Sequence, residues 1–485
     1  MQFVNQTPFP GLAFEGLDQL DQSFHVVVLR ITYDLKPGAG RVALHLNATH
    51  HLDFSEEPTP LADTDEFTGK PNLSSVKWES DFVPYKPKCD VIVLGDAQAP
   101  GGRAVRRFQV GVSLSGKGRQ RSLPSMPQGL NPFMAPTERE IQQYNAQAAK
   151  SRVEVLPGDR LIQKTLTVCG PRHLRRKRWP IRACQILLRI LTLGIAKPNP
   201  WKLVRPEAIG QLPLQYELAF GGLIPIPMDD AAAAPRVPKK HRLPPDRREE
   251  LGLEAPLAAY ARCEGNPLGV GYAEPWVLKA LKLKKTPAPQ IEDPAHPFSA
   301  KLFWRALRGK QAALDSPALQ AAGFGPIGRG WPPRRGHAGT YDKKWLEHRH
   351  PLLPKDFDFA YWNCAHPSMQ CEHLQGNEIL TLTNLVPPDA CGARKDAEGN
   401  TELCVALPGH RPFVLARFEN GTVGTLPLKT DTLIVDLKEQ QVIQVLRTTI
   451  MKTHPLRALE LRMKVNRDAM PKSLLIYEKE QAECD

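Results

Sequence analysis

Forty-seven of the 485 residues are proline, and that number constrains the fold more than any other feature of the chain. Proline has no N–H to give to a helix or a ladder and its ring fixes φ, so it is kept out of helix interiors and central strands. A chain so rich in it must build a frame with many turns, edge positions and short elements, and a mostly helical protein is excluded. The hydrophobic share of 41% and charged share of 24% are those of an ordinary globular chain, which argues against wholesale disorder.

β-Branched and aromatic residues fall in short runs bounded by Gly, Pro or Asp. FHVVVLRITYDL from Phe24, a KPGAG turn and a second run at 41–46 read as a hairpin. Further strands are expected at 77–79, 89–94, 108–114 and 152–155, and again at 378–382, 401–406, 413–418, 431–436 and 442–448. The expected fold is mainly β, of α+β type. A sandwich-like antiparallel domain spans 1–160, a proline-rich, partly helical middle spans 161–330, and a second antiparallel domain spans 331–485. Residues 116–150 interrupt the first domain as an insertion, with Thr137 and Glu140 as the capping box of a short helix. In the middle, helices are expected at 182–193, 255–262 and 299–311, and low order around 229–246.

The first 25 residues hold no Lys or Arg and no uninterrupted apolar run, so no secretory signal is read. The most apolar stretch, 186–196, is interrupted by Arg189 and falls short of the ~20 residues a bilayer span requires. No stable membrane insertion is expected. Nine scattered cysteines suit reduced thiols, and the expected location is the cytoplasm.

Lys and Arg number 64 against 51 Asp and Glu, a net +13, but the excess is local. Between Leu161 and Pro206 there is no acidic residue and there are eleven basic ones, which leaves 53 basic against 51 acidic elsewhere. Within this stretch Pro180 is suited to the first helical position, and IRACQILLRILTLG reads as a helix ending at Gly194. Its polar stripe is Arg182, Gln185, Arg189 and Thr192. The rest, including Leu187, Leu188 and Leu191, is apolar, and Arg175, Arg176, Lys177 and Arg178 form a charged approach. Three uses fit such a segment: a core helix with a solvated basic lead-in, a helix docked in a partner's groove, or a basic nucleic-acid- or membrane-binding element.

Motifs for chemistry are weaker. Gly323, Gly325 and Gly328 match G-x-G-x-x-G, but no strand precedes them and WPPRR follows where a helix should run, so they read as a turn. Cys364, His366, Cys371 and His373 are a weak zinc candidate, because neither pair has the intervening residues of a chelating turn. Asp356, Asp358 and Glu217 could serve a carboxylate-dependent hydrolase, although such carboxylates more often hold backbone amides. With zinc chemistry as its variant, that enzyme is the rival reading. No metal or cofactor is expected.

An ordered series of motifs covers most of the chain: NQTPF at 5–9, 63–102 with Asp81, Lys86, Asp90 and Gly101, and GDR with Asp159 and Arg160. LPLQYELAFGG follows with Glu217, Gly221 and Gly222, then NPLGVGY with Asn266 and Gly269, and PQIEDP at 289–294. The longest, 329–367, carries Trp331, Arg334, Gly339, Asp342, Trp345, Asp356 and Asp358. The series resembles the bacterial family known as domain of unknown function 2169, encoded beside type VI secretion spike genes. The resemblance implies a non-enzymatic cytoplasmic adaptor or chaperone that binds a toxic effector and promotes its loading onto a VgrG or PAAR spike protein, with no nucleic-acid partner. It brings no catalytic residues; its Gly, Pro, Asp, Arg and Trp suit loop-tying. The chain departs from the family pattern at 116–150 and at 161–206.

Overall fold

The strand Ser23–Pro37 carries Val26, Val27, Val28, Leu29 and Ile31, all buried. A strand apolar on both faces must lie inside a sheet, and this one does. In the computed structural model, which describes residues 1–37, 50–116, 119–120, 155–156, 158–178, 180–193, 195, 197–390, 392–452 and 454–466, it pairs with Gln441–Met451 on one side. Gly11–Leu17 and His50–Phe54 flank it on the other. The expected 41–46 strand, the helix capped by Thr137 and residue 194 lie outside the described residues.

The chain is mainly β, as the sequence implied. Thirteen strands form one sheet. From one edge it runs through Ile291–Glu292, Arg160–Cys169, Arg107–Ser115, Ile379–Thr383, Thr401–Ala406 and His50–Phe54 to Ser23–Pro37. It continues through Gln441–Met451, Lys429–Asp436 and Cys89–Leu94 to Gln370–Cys371. Strands of 1–160 and of 331–485 therefore interleave in one sheet rather than forming one sheet each. Nor is the sheet purely antiparallel, because Cys89–Leu94 runs parallel to Lys429–Asp436. Parallel neighbours need a long crossover, and more than three hundred residues of chain supply it here.

A second sheet of Gln2–Asn5, Leu456–Lys464, Arg411–Phe418 and Val423–Pro427 shares the same core, contributing Val414, Ala416, Leu459 and Leu461 beside Val28 and Leu446. The prolines sit where their chemistry allows. They open Pro275–Ala280, Pro317–Leu319, Pro332–Arg335 and Pro367–Met369, and close strands such as Gln211–Pro213, Lys285–Pro287 and Val423–Pro427.

The middle has two smaller cores. Leu174, Trp201, Phe298 and Phe303 make one, under a sheet of His173–Arg176, Trp201–Leu203 and Lys285–Pro287. Ile226, Ala233, Val237, Ala259, Ala261, Trp276 and Val277 make the other. Two expectations are corrected here. Residues 255–262 contain a strand, Leu257–Arg262, because Leu257, Ala259 and Ala261 alternate inward. The 229–246 stretch is ordered by successive single turns, with Ala233 and Val237 buried and His241 stacked 4.6 Å from Trp276. No described helix is long and apolar enough to cross a membrane.

Candidate partner-docking surface

The strand His173–Arg176 leads into the basic helix, Ile181–Leu191, which returns to the same small sheet at Trp201–Leu203. Pro180 sits just before the first turn as its cap. At the other end Leu193 takes a φ of +47° and its N–H reaches Ile190 O, closing the helix before Gly194. The periodicity therefore placed the helix correctly, but its orientation is the reverse of a core helix. None of its residues is buried. Ile181, Ile186, Leu187, Leu188, Ile190 and Leu191 are exposed, Leu191 to 72%, and Leu193 beyond the helix to 93%.

The polar stripe faces the body instead. Arg182, Gln185 and Thr192 are half-buried while Arg189 is exposed at the cleft mouth, and Gln185 Nε2 donates to Asn199 O at 2.9 Å. Arg182, Gln185 and Arg189 line a cleft of about 580 Å³ whose opposite wall is Trp304, Arg308 and Lys310. Asn199 anchors the return loop by donating to Ala300 O at 2.8 Å, and Trp304 Nε1 donates to Lys197 O at 3.1 Å. Burying one large aliphatic side chain contributes roughly 1.5–3 kcal/mol, so a partner covering this face gains a substantial driving force. An exposed apolar patch of this kind is a signature of an interaction site.

The lead-in is less free than its sequence suggests. Arg176 stacks over Trp201 at 5.6 Å, and Lys177 is half-buried with its N–H on Pro200 O. Arg172 is buried in an ion pair with Glu292 at 2.6 Å. Arg175 is half-buried on the central strand of the small sheet, paired on both sides, and Arg178 beyond it is exposed, so the RRKR run does not present its charge as one free basic patch.

The motif residues shared along the chain lie elsewhere, at loop ties. Buried Asp90 accepts from Lys86 Nζ at 2.9 Å, Cys364 N at 3.0 Å, Ala365 N at 3.1 Å and Asn363 Nδ2 at 3.2 Å. Asp81 accepts from Arg30 at 2.7 Å, and Arg334 clamps both oxygens of Glu79 while donating to Ile327 O and Tyr361 O. Asn266 bridges Tyr216 O and Phe220 O to the amides of Leu268 and Gly269. A side chain on Gly221, at φ +152°, would meet Asn266 O at 2.1 Å, and one on Gly269 would meet Ala219 O at 2.6 Å. Gly222 and Gly339 also hold positive φ, as does Gly101 in its turn. Trp331 packs edge-on against Tyr216, Asp342 caps a helix through Trp345 N, and Trp345 Nε1 donates to Leu352 O. Asp159 and Arg160 are exposed, and Arg160 donates to Gln163 rather than to its neighbour.

A family described as uncharacterised proteins conserved in bacteria, DUF2169, matches residues 21–122 and 134–447. The chain belongs to this family. No curated protein and no solved structure shows significant similarity to it. The gap in the DUF2169 match, between residues 122 and 134, falls inside the expected 116–150 insertion, and the basic 161–206 stretch lies within the bounds of the second matched segment.

In this DUF2169 chain each carboxylate of the hydrolase reading is engaged by its own local partners. Asp356 accepts from Thr340 N at 3.0 Å and Oγ1 at 2.7 Å, which holds its carboxyl below the usual range. Asp358 caps Ala360 N and meets His337 Nδ1 at 2.7 Å, and Glu217 accepts from Ser75 N at 2.7 Å and from its hydroxyl. Cys364 lies at Asp90, with burial pushing its thiol well up. His366 Nδ1 meets Ser368, Cys371 opposes Cys89 across two strands, and His373 Nε2 lies 2.9 Å from Lys86 O. Among the described residues no three such side chains are placed to hold a metal ion.

One group was not singled out from sequence. Lys164 Nζ is hidden from solvent without a hydrogen-bond partner among the described residues, and burial pushes its amine down to about 7, Asp293 opposing. Burial, helped by the Lys164 charge, lowers His366 to about 3. The unfolded amine titrates near 10.5, so between about 7 and 10.5 unfolding takes up a proton and stability rises with pH. Lys164→Met should stabilise the chain by on the order of 3 kcal/mol near pH 6, with the gain fading towards pH 10. Urea unfolding at both pH values measures it; a pH-independent difference contradicts it.

Proposed function

We propose that the protein is a type VI secretion adaptor that holds a toxic effector in the cytoplasm and promotes its loading onto a VgrG or PAAR spike protein. The observation that carries this reading is the outward apolar face of Ile181–Leu191, a helix whose polar stripe, not its apolar one, contacts the body. An exposed face of Leu and Ile on a framed helix suits protein capture better than chemistry. The secretion context comes from the ordered motif series, whose Gly, Asp, Arg and Trp residues serve a turn-tied scaffold that carries the helix. Affinity purification of the tagged chain from its native host, with the bound proteins identified by mass spectrometry, tests the reading. A toxin and a spike protein are expected to co-purify; recovery of neither would sink it.

A further inference from the structure

The cleft behind the helix is as unusual as the face in front of it. Arg182 and Arg189 enter it from the helix, Lys197 from the return loop, and Arg308 and Lys310 from the end of Ala300–Leu307. Five cations thus share one cleft of about 580 Å³ whose lining contains no carboxylate. None of the five has an ionic partner among the described residues. Arg182 is half-buried and the other four are exposed, so their mutual repulsion is screened by solvent, but a complementary anion in the cleft gains from all of them at once.

The shape narrows the class of anion. Ile186 forms part of the cleft's lip, next to the exposed Leu187 and Ile190 on the outer face. A bilayer could cover the outer face, but it cannot enter a cleft of this size between the helix and Trp304. A nucleic acid could reach the cations but has no aliphatic surface to lay on the leucines. A polypeptide segment with both carboxylates and apolar side chains satisfies the cleft and its lip together.

We infer that this cleft receives an acidic segment of the partner protein, its carboxylates among Arg182, Arg189, Lys197, Arg308 and Lys310 and its apolar side chains on the helix. The inference rests on the adaptor reading and specifies the chemistry of the cargo element that is recognised. Trp304 gives the cleft an aromatic wall, and its indole N–H, fixed on Lys197 O, holds the return loop in place so that the site is formed before the segment arrives.

The test is fluorescence anisotropy of the full chain with a labelled peptide alternating Glu and Leu. A single-stranded DNA oligonucleotide and vesicles of phosphatidylserine with phosphatidylcholine serve as competing probes. The peptide is expected to bind, more weakly as salt rises, and Arg189→Glu with Arg308→Glu to weaken it by at least ~tenfold. The Arg189→Gln, Arg308→Gln pair should give a smaller loss. Lys355→Glu, an exposed cation elsewhere, should leave binding unchanged, and thermal unfolding confirms that each variant is folded. Peptide binding that is indifferent to the cleft variants overturns the inference, as does preferential binding of the oligonucleotide or the vesicles. If the reversed chain still recovers toxin and spike protein from the host as well as the wild type does, the cleft assignment fails and the adaptor reading stands. If the peptide binds through the cleft but neither protein co-purifies, the adaptor reading fails and the cleft assignment stands.

Discussion

Replacing Leu187, Leu188 and Leu191 together with Ser is expected to abolish cargo binding and leave the thermal transition in place. All three side chains are exposed, so the folded chain loses almost no packing, and surface changes of this kind usually stay within about 0.5 kcal/mol each. In a complex that covers them, each buried leucine contributes roughly 1.5–3 kcal/mol, and losing three weakens binding by ~10³-fold or more. Serine also lowers helix propensity slightly, so the same three positions changed to Ala separate loss of the helix from loss of its apolar face. Co-purification and differential scanning fluorimetry read the two effects. A large fall in the transition temperature would mean that the face packs into the protein's own fold; unchanged cargo recovery would mean that it is not the contact.

The opposite pattern is expected at Asp90. Asp90→Ala strands the Lys86 ammonium inside the sheet and leaves the amides of Cys364 and Ala365 without their acceptor. Burial works against the Lys86 charge, but Asp90 beside it holds the ammonium above its ordinary range, so Lys86 stays charged in the folded chain. Removing one partner of a buried pair typically costs 3–5 kcal/mol, a large part of the ~5–15 kcal/mol that holds a typical domain together. Thr432 Oγ1, 2.9 Å from Lys86 Nζ, remains but supplies no compensating charge. Urea unfolding should show that loss, or a chain that no longer folds. Asp90→Asn, which keeps one carbonyl acceptor, should fall between. A loss below about 1 kcal/mol for Asp90→Ala would contradict the clamp.

Strand identity was largely legible in the sequence because it depends on local composition: the runs at 89–94 and 401–406 are strands with those bounds. Strand pairing was not. Cys89–Leu94 finds Lys429–Asp436, and Ser23–Pro37 finds Gln441–Met451, across nearly the whole chain, and no local pattern encodes such partners. Short Ala-rich segments misled, since Leu257–Arg262 suits a helix by propensity and becomes a strand by pairing with Leu223–Pro227. For the basic helix, the 3.6-residue period placed the element and both of its stripes. It could not say which stripe meets the body, because period carries no reference to neighbours, and here the usual apolar-in rule is inverted. Arg308 and Lys310 approach Arg182 and Arg189 only through the tertiary fold, so the basic cleft had no sequence signal beyond charge.

The central claim, an outward-facing apolar stripe that a cargo protein covers, is tested most directly at Cys184. This thiol is exposed and lies on the same face as Leu187, Leu188 and Leu191, at helical spacings of three, four and seven. Its alkylation by iodoacetamide is to be followed by peptide mass spectrometry in the free chain and in the purified complex. Cys184 is expected to react in the folded free protein well before the buried Cys364 and Cys89, and to be protected when cargo is bound. Protection of Cys184 already in the free chain, or equal reaction rates with and without saturating cargo, would contradict the account.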